Sequence, residues 1–327
     1  MTRGLVVRGS RNIFTVRLES GTELECRIKG KVLKGVDGYY NPLAPGDWVT
    51  VAEEPSHPRK GSILGLEKRR NVFSRRNQKG LGPNRSAASQ LLAANVDLVL
   101  CVTSPGAPPF RPRFLDRLLL QTDIAGIPGV IICNKWDLFD GDPDVEERLE
   151  DFHRIGYEVL RVSAKTGVGL DSLRALLENR FSVLVGQSGV GKSSLVNALI
   201  PETSARVGAL NEKYDRGNHT TSMSVVLELP EGKALGKTPG EGGTSRVIDT
   251  PGIRRFVPDG VTADQLILHM REFSPLAGKC SFGLSCSHRT EPGCKIMEAV
   301  AAGFIHEDRY DSFLRIQDEL LGTYYDD

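Results

Sequence analysis

The sequence predicts a multidomain chain: a small all-β barrel, then an α/β domain on a parallel sheet, then a short, mostly helical C-terminal piece. Three observations predict it. Residues 4–75 alternate short apolar runs with turn residues. From residue 96 onward, buried-type apolar runs alternate with helically spaced leucines. After residue 255 the sheet pattern stops, and three cysteines and a histidine crowd into positions 280–294. At 327 residues the chain exceeds one ordinary core, in keeping with two or three domains. The boundaries read from these shifts are 1–75, 76–254 (with 76–90 as a linker or mobile loop) and 255–327.

The barrel rests on Leu5-Val6-Val7, Ile13-Phe14-Thr15-Val16, residues 22–28 and Trp48-Val49-Thr50-Val51, separated by Pro42, Pro45-Gly46-Asp47 and Gly61. Short strands with such punctuation suit a small closed sheet. Its surface is basic. Lys29, Lys31 and Lys34 share one segment, and Lys68-Arg69-Arg70 with Arg75-Arg76 share another. Through Arg85 there are 17 Lys/Arg against 8 Asp/Glu, and the remainder holds 25 against 33. A basic front on an acidic chain of net charge +1 points to a polyanionic partner, nucleic acid above all. Residues 77–90, rich in Asn, Gln, Lys, Gly, Pro and Ser, read as the linker.

In the central domain, residues 96–102, 129–133 and 158–162 read as buried strands, and residues 114–124 and 145–155 as helices. That alternation means a parallel sheet with helices on both faces, and ligand loops at the strand carboxyl ends. Residues 170–181 read as a third helix leading to the strand Phe181, Val183, Leu184, Val185. Then comes Gly186-Gln187-Ser188-Gly189-Val190-Gly191-Lys192-Ser193, followed by Ser194 and a helical run. Strand, glycine-rich turn and helix at this spacing form a phosphate-binding loop, whose curled amides and helix dipole face one anion. Lys192 is placed to reach the outer phosphates and Ser193 to put its hydroxyl on magnesium.

Two earlier strand ends carry Asn134-Lys135-Trp136-Asp137 and Ser163-Ala164-Lys165. Guanine presents N1–H and an exocyclic amine side by side, and one carboxylate, Asp137, can accept both. Lys135 can lay its stem over the base, Asn134 can brace the loops, and the Ala164 amide can donate to the guanine carbonyl. Further on, Gly217-Asn218-His219-Thr220-Thr221 offers a threonine to close over magnesium, Thr221 first and Thr220 second. Asp249-Thr250-Pro251-Gly252 follows a strand at 246–248; there Asp249 would hold magnesium through water and the Gly252 amide would touch the terminal phosphate.

These are the elements of a GTPase in rotated order, with the base-binding pair ahead of the phosphate and switch elements. That rotation, with a basic barrel before it and a cysteine cluster behind, resembles the RsgA family, the circularly permuted GTPases of small ribosomal subunit biogenesis. The resemblance implies an OB-type barrel that contacts rRNA, a late-assembly role on the small subunit, and hydrolysis stimulated by subunit binding. Ile253 stands where Ras-like enzymes place the water-orienting glutamine. An isoleucine cannot orient a nucleophile, so His219 becomes the candidate catalytic group beside Lys192 and Thr221, and intrinsic turnover is expected to be slow.

In the C-terminal piece, Thr262 with Gln265 resembles a capping box opening a helix toward Phe273. Cys280, Cys286, His288 and Cys294 then supply three thiolates and an imidazole, a full tetrahedral set for zinc. They match the family's zinc segment ligand for ligand. With no position left for water, the site is expected to be structural, a staple for a piece too small to hold itself. Two helices are expected within 295–322, flanking Gly303.

The Met1 end has no signal-peptide core, no apolar run approaches a membrane span, and six cysteines without a disulfide framework fit a reducing compartment. A cytoplasmic monomer acting with GTP or GDP, Mg2+ and Zn2+ is the expectation. A nucleotide-binding RNA chaperone without functional hydrolysis competes with the enzyme reading, and an ATPase is a lesser rival. Lys192, Ser193, Thr221 and Asp249 favour hydrolysis, because a static binder needs no complete magnesium and switch set.

Overall fold

Apolar side chains at alternate positions turn the first strands into a closed barrel. The computed structural model describes residues 1–9, 12–30, 33, 36, 38–55, 57–77, 89–200, 223–230 and 244–322. Among these, β1 (Thr2–Gly9), β2 (Phe14–Leu18), β3 (Glu23–Ile28), β4 (Trp48–Glu53) and β5 (Lys60–Leu66) run in the order β1-β2-β3-β5-β4, and β4 closes on β1. The β3–β5 pair is parallel and the others are antiparallel. Val6, Phe14, Val16, Leu24, Cys26, Val49, Val51 and Ile63 fill the interior. This is the expected OB-type barrel.

β6 (Val72–Arg76) and β7 (Ser89–Ala94) pair antiparallel as a separate ribbon. Both ends of the stretch read as a linker are therefore strand, while residues 78–88 lie outside the described residues. The barrel meets the central domain through Gly46, at φ +97°, where an added Cβ would lie 2.0 Å from the Ala94 carbonyl oxygen. Only glycine allows that approach. Beside it, Arg69 forms a buried 2.7 Å pair with Asp47.

The central sheet runs β10 (Glu158–Arg161), β9 (Gly129–Cys133), β8 (Leu98–Thr103), β11 (Phe181–Gly186), β13 (Arg246–Asp249), all parallel, with β12 (Val225–Glu228) antiparallel at β13. One bridge, Arg8 to Val225, joins this sheet to the barrel. Every residue of β8 is buried, as a strand covered on both faces must be. Its Val99 and Cys101 pack toward α1 (Pro112–Ala125) and α2 (Pro143–Arg154). Its Leu98, Leu100 and Val102 pack toward α3 (Leu170–Leu177) and α4 (Lys192–Leu199).

The C-terminal piece packs on α1. Leu120 of α1 shares a core with Leu266, Phe273, Ile296 of α5 (Lys295–Ala301) and Phe313 and Ile316 of α6 (Glu307–Leu321). The helix expected to open at Thr262 does not form. Residues 262–276 make successive tight turns, with a 3-10 turn at Leu266–His269 and another at Ser274–Leu276. Each turn drives its own side chains, Leu266, Ile267, Met270 and Phe273, into the same core. Pro275 has no amide to continue a ladder.

A buried ion cluster ties this piece to the central domain. Arg309 of α6 is fully buried, donating to Asp116 of α1 at 2.9 Å and to both Glu272 oxygens at 2.5 and 2.9 Å. Asp116 also accepts from Ser312 and, at 3.4 Å, from Arg148 of α2. Breaking a buried charge cluster by removing one partner costs about 3–5 kcal/mol, because the remaining charges stay buried. Arg309→Met is therefore expected to lower unfolding free energy by that amount in urea titration. A loss below about 1 kcal/mol would mean that the remaining partners compensate.

Candidate active site and metal centre

The phosphate loop links β11 to α4. Gly189 at φ +83° and Gly191 at φ +90° hold backbone that L-residues rarely adopt. At Gly191 an added Cβ would sit 2.4 Å from the Asn134 amide nitrogen. That contact joins two sequence-distant motifs. Asn134 donates to the Val190 carbonyl at 2.9 Å, while its side-chain oxygen accepts from the Ala164 amide at 3.1 Å. The phosphate loop, the 134–137 loop and the 163–165 loop thus meet at the carboxyl ends of three parallel strands.

Around this junction, Asp137 is held by Ser163, whose hydroxyl donates to it at 2.6 Å and also accepts from the Thr166 amide at 3.1 Å. Lys165 stands 4.0 Å from the other Asp137 oxygen. Lys135, at φ +62°, donates to the Ala107 carbonyl at 2.6 Å. Trp136 stacks on Phe139, with ring centroids 4.3 Å apart. The loop bearing Ala107, Ser104-Pro105-Gly106-Ala107-Pro108, forms a further wall beside Lys135 and Gly189. Its signal was a proline- and glycine-rich run directly after a strand end.

At the phosphate end, Lys192 is buried and donates to the Gly186 and Gln187 carbonyls, both at 3.0 Å. Burial pushes its ammonium down to about 8, with Asp249 partly opposing. Ser193 donates to Asp249 at 2.7 Å. The second Asp249 oxygen is buried with no hydrogen-bond partner among the described residues. Burial raises the Asp249 carboxyl, against the Ser193 hydrogen bond and the Lys192 charge. A hydroxyl paired with a carboxylate that keeps an orphaned buried oxygen fits a hydrated magnesium ion.

Gly252 packs directly on the loop: an added Cβ would lie 2.5 Å from the Ser188 Cα. Ile253 donates its amide to the Gly186 carbonyl at 3.1 Å and buries its side chain in the core. His219, Thr220 and Thr221 lie outside the described residues.

Some distance away, the Cys280, Cys286, His288 and Cys294 ligand atoms all lie within 4.8 Å of one another. His288 Nδ1 is 3.6 Å from Cys280 Sγ and 3.5 Å from Cys294 Sγ, and those two sulfurs are 3.9 Å apart. A tetrahedral ion with metal–sulfur bonds near 2.3 Å and a metal–nitrogen bond near 2.0 Å requires edges of about 3.8 and 3.5 Å. The cluster fits a metal ion. Glu291 accepts from the Ser287, Arg289 and Thr290 amides and so shapes the loop around His288, which sits at φ +62°. Hydrogen bonds from Ser287, its side chain first and then its amide, hold the carboxyl well below the usual carboxylate range, with the Arg289 amide adding to them.

The model of the RsgA GTPase family matches residues 66–257. Relatives called small ribosomal subunit biogenesis GTPase RsgA are 36% identical in Chlorobaculum parvum, over 97% of both chains, and 35% identical in Gemmatimonas aurantiaca, over 98% of both. The chain belongs to the RsgA GTPase family. It is also similar to the crystal structure of YjeQ from Thermotoga maritima, with TM-score 0.68 and 28% identity, covering 98% of this chain and 99% of that one. YloQ, described as a circularly permuted GTPase, shares the fold at TM-score 0.62 and 24% identity, covering 100% of this chain and 97% of that one. The family's members are GTP hydrolases, and GTP or GDP with Mg2+ are their ligands. No helix among the described residues is long and apolar enough to cross a membrane.

Proposed function

We propose that this chain hydrolyses GTP to GDP and phosphate while bound to the small ribosomal subunit, as a late maturation factor whose turnover the subunit stimulates. The single observation that carries the reading is Asn134, which bonds the phosphate loop on one side and the Ala164 loop on the other. That bracing supports a guanine-nucleotide site spanning the loop of Asp137 and the loop of Lys192. Asp137 would take the base N1–H and amine, the Ala164 amide the base carbonyl, and Lys135 the ring face. Lys192 would hold the outer phosphates, and Ser193, Asp249 and Thr221 the magnesium, which would neutralise charge developing on the phosphates.

The buried side chain of Ile253 supports slow intrinsic turnover, since nothing at that position can orient water. His219 is the proposed group for that task in the subunit-bound enzyme. The cysteine–histidine cluster suits zinc, with a structural role. The basic barrel is the proposed rRNA-binding surface, and the chain is proposed to act as a cytoplasmic monomer.

Turnover of GTP and ATP by the purified protein, with and without small subunits, tests the core of this reading. A static chaperone would show no stimulation. Asp137→Asn exchanges an acceptor for a donor facing the base, so preference should move from guanosine to xanthosine triphosphate by on the order of 10⁴-fold in kcat/KM. An unchanged preference removes Asp137 from base recognition.

Downstream of Gly252 the chain is tethered to β6 and to α1, the helix on which the C-terminal piece packs. The Asp259 amide donates to Gln121 at 2.7 Å, and Ser74 donates to the Asp259 carboxylate at 2.7 Å. Loss of the third phosphate would release Gly252 and, through this segment, shift the metal-binding piece and weaken the grip on the partner. Solution scattering with GDP and a GTP analogue, free and subunit-bound, should show different shapes; identical shapes reject the coupling.

A further inference from the structure

A groove of about 470 Å³ lies beside the phosphate loop, outside the nucleotide cleft just described. Arg111, Arg113 and Arg117 line it from the start of α1, Arg254 and Arg255 from the segment after Gly252, and Gln187 from the phosphate loop itself. Phe110, Phe114 and Phe256 supply apolar wall, and Asp308 is the carboxylate among the lining residues. Three of the guanidiniums are already paired. Arg113 meets Asp311 at 2.7 Å, while Arg117 and Arg255 share Glu319. Arg111 and Arg254 are exposed and have no side-chain partner among the described residues. Gln187 is only 9% exposed and borders the groove from the phosphate loop. Two guanidiniums without a side-chain partner, beside a polar side chain of the phosphate loop, suit an anion with several acceptor oxygens.

We propose that this groove seats backbone phosphate of the partner RNA and thereby couples docking to hydrolysis. The inference rests on the reading that the small subunit is the partner. Guanidinium forks match phosphate geometry, and aromatic walls tolerate any neighbouring base or sugar.

Coupling follows from chain connectivity. Arg254 is two residues beyond Gly252, which packs on Ser188, and the intervening Ile253 amide is bonded to Gly186. Phosphate held by Arg254 and Arg111 therefore clamps the 252–256 segment against the phosphate loop from outside.

The test uses the full-length protein with purified small subunits. In Arg111→Ala/Arg254→Ala, the ratio of subunit-stimulated to intrinsic GTP turnover is expected to fall at least tenfold. The slope of log affinity against log salt should become shallower by about 1.4–1.8, the value for two lost phosphate contacts. The double lysine variant should recover most of that slope, because a point charge still releases counterions, which a merely structural loss would not allow. A photo-crosslinking side chain at position 254 should label rRNA. An unchanged ratio and slope, or a crosslink to a ribosomal protein instead of RNA, overturns the groove while leaving the partner reading intact. Wild-type protein that neither binds small subunits nor is accelerated by them defeats the partner reading, and the groove with it.

Discussion

Lys192→Met is expected to reduce kcat for GTP by about 10²–10³-fold, the range for removing one buried donor aimed at transition-state charge. The ammonium is already positioned: two loop carbonyls at 3.0 Å hold it inside the turn it must serve. Burial has pushed it down to about 8, so without nucleotide it is the least comfortable charge in the loop. Triphosphate oxygens would supply the missing counter-charge and raise that value again. The pH dependence follows in sign. A lysine loses its charge as pH rises through its pKa, so kcat/KM, which reports the free enzyme, should decline above about pH 8. The phosphate-bound ammonium stays protonated further, so kcat should hold to higher pH. Steady-state rates across that range check both. A methionine variant with more than a tenth of wild-type turnover, or a flat kcat/KM profile, would remove Lys192 from the reaction.

Much of this site was legible because its determinants are local. The glycines at 189 and 191 are demanded by positive φ within one turn, and a glycine-rich turn between strand and helix is visible in a dozen residues. The candidate metal ligands were readable for the same reason, lying within one short segment. The Asn134 bracing could be anticipated in role, but its bond to Val190 spans 56 residues and needed the fold. The Asp116–Arg309 pair spans 193 residues and left no trace. No periodicity marks a charged residue that will be buried against another domain, and Arg309 reads in the sequence as one more polar residue on an amphipathic helix.

Thr262 and Gln265 illustrate the opposite failure, a correct local signal with the wrong outcome. The Leu266 amide does donate to the Thr262 carbonyl at 3.1 Å, so one helical turn starts. It then stops, since burying Leu266, Ile267, Met270 and Phe273 against α1 and α6 outweighs a capping preference of about 1 kcal/mol. The arginine groove escaped notice because Arg111 and Arg254 are 143 positions apart in sequence. Circular rotation does not change this logic; it only places the switch segment beside the metal-binding piece instead of at the far end of the domain.

Removing the metal should have the largest structural consequence. Structural zinc contributes about 10–16 kcal/mol of apparent binding free energy at neutral pH, comparable to the whole stability of a typical domain. The sulfurs and imidazole of the cluster lie inside the core that also holds Leu120, Phe273 and Phe313, with Phe273 and Phe313 stacked 4.9 Å apart. His288 meets Phe313 edge-on at 5.9 Å. Without the ion, three thiols and an imidazole would remain buried with only each other, and the turns at 262–294 have no regular ladder to fall back on. A strong chelator, or Cys294→Ser, is therefore expected to unfold residues 262–322 and to split thermal unfolding into two transitions. Because Arg309 and Glu319 leave α1 when this piece unfolds, the central domain should also lose stability, seen as a lower temperature for the second transition. Nucleotide binding should survive, since among the described residues Asn134, Asp137 and Lys192 share no hydrogen bond with the cluster. Circular dichroism and calorimetry of chelated protein, with atomic absorption counting the metal released, provide the measurement. A metal-free protein with an unchanged single transition would show that packing alone holds the C-terminal piece.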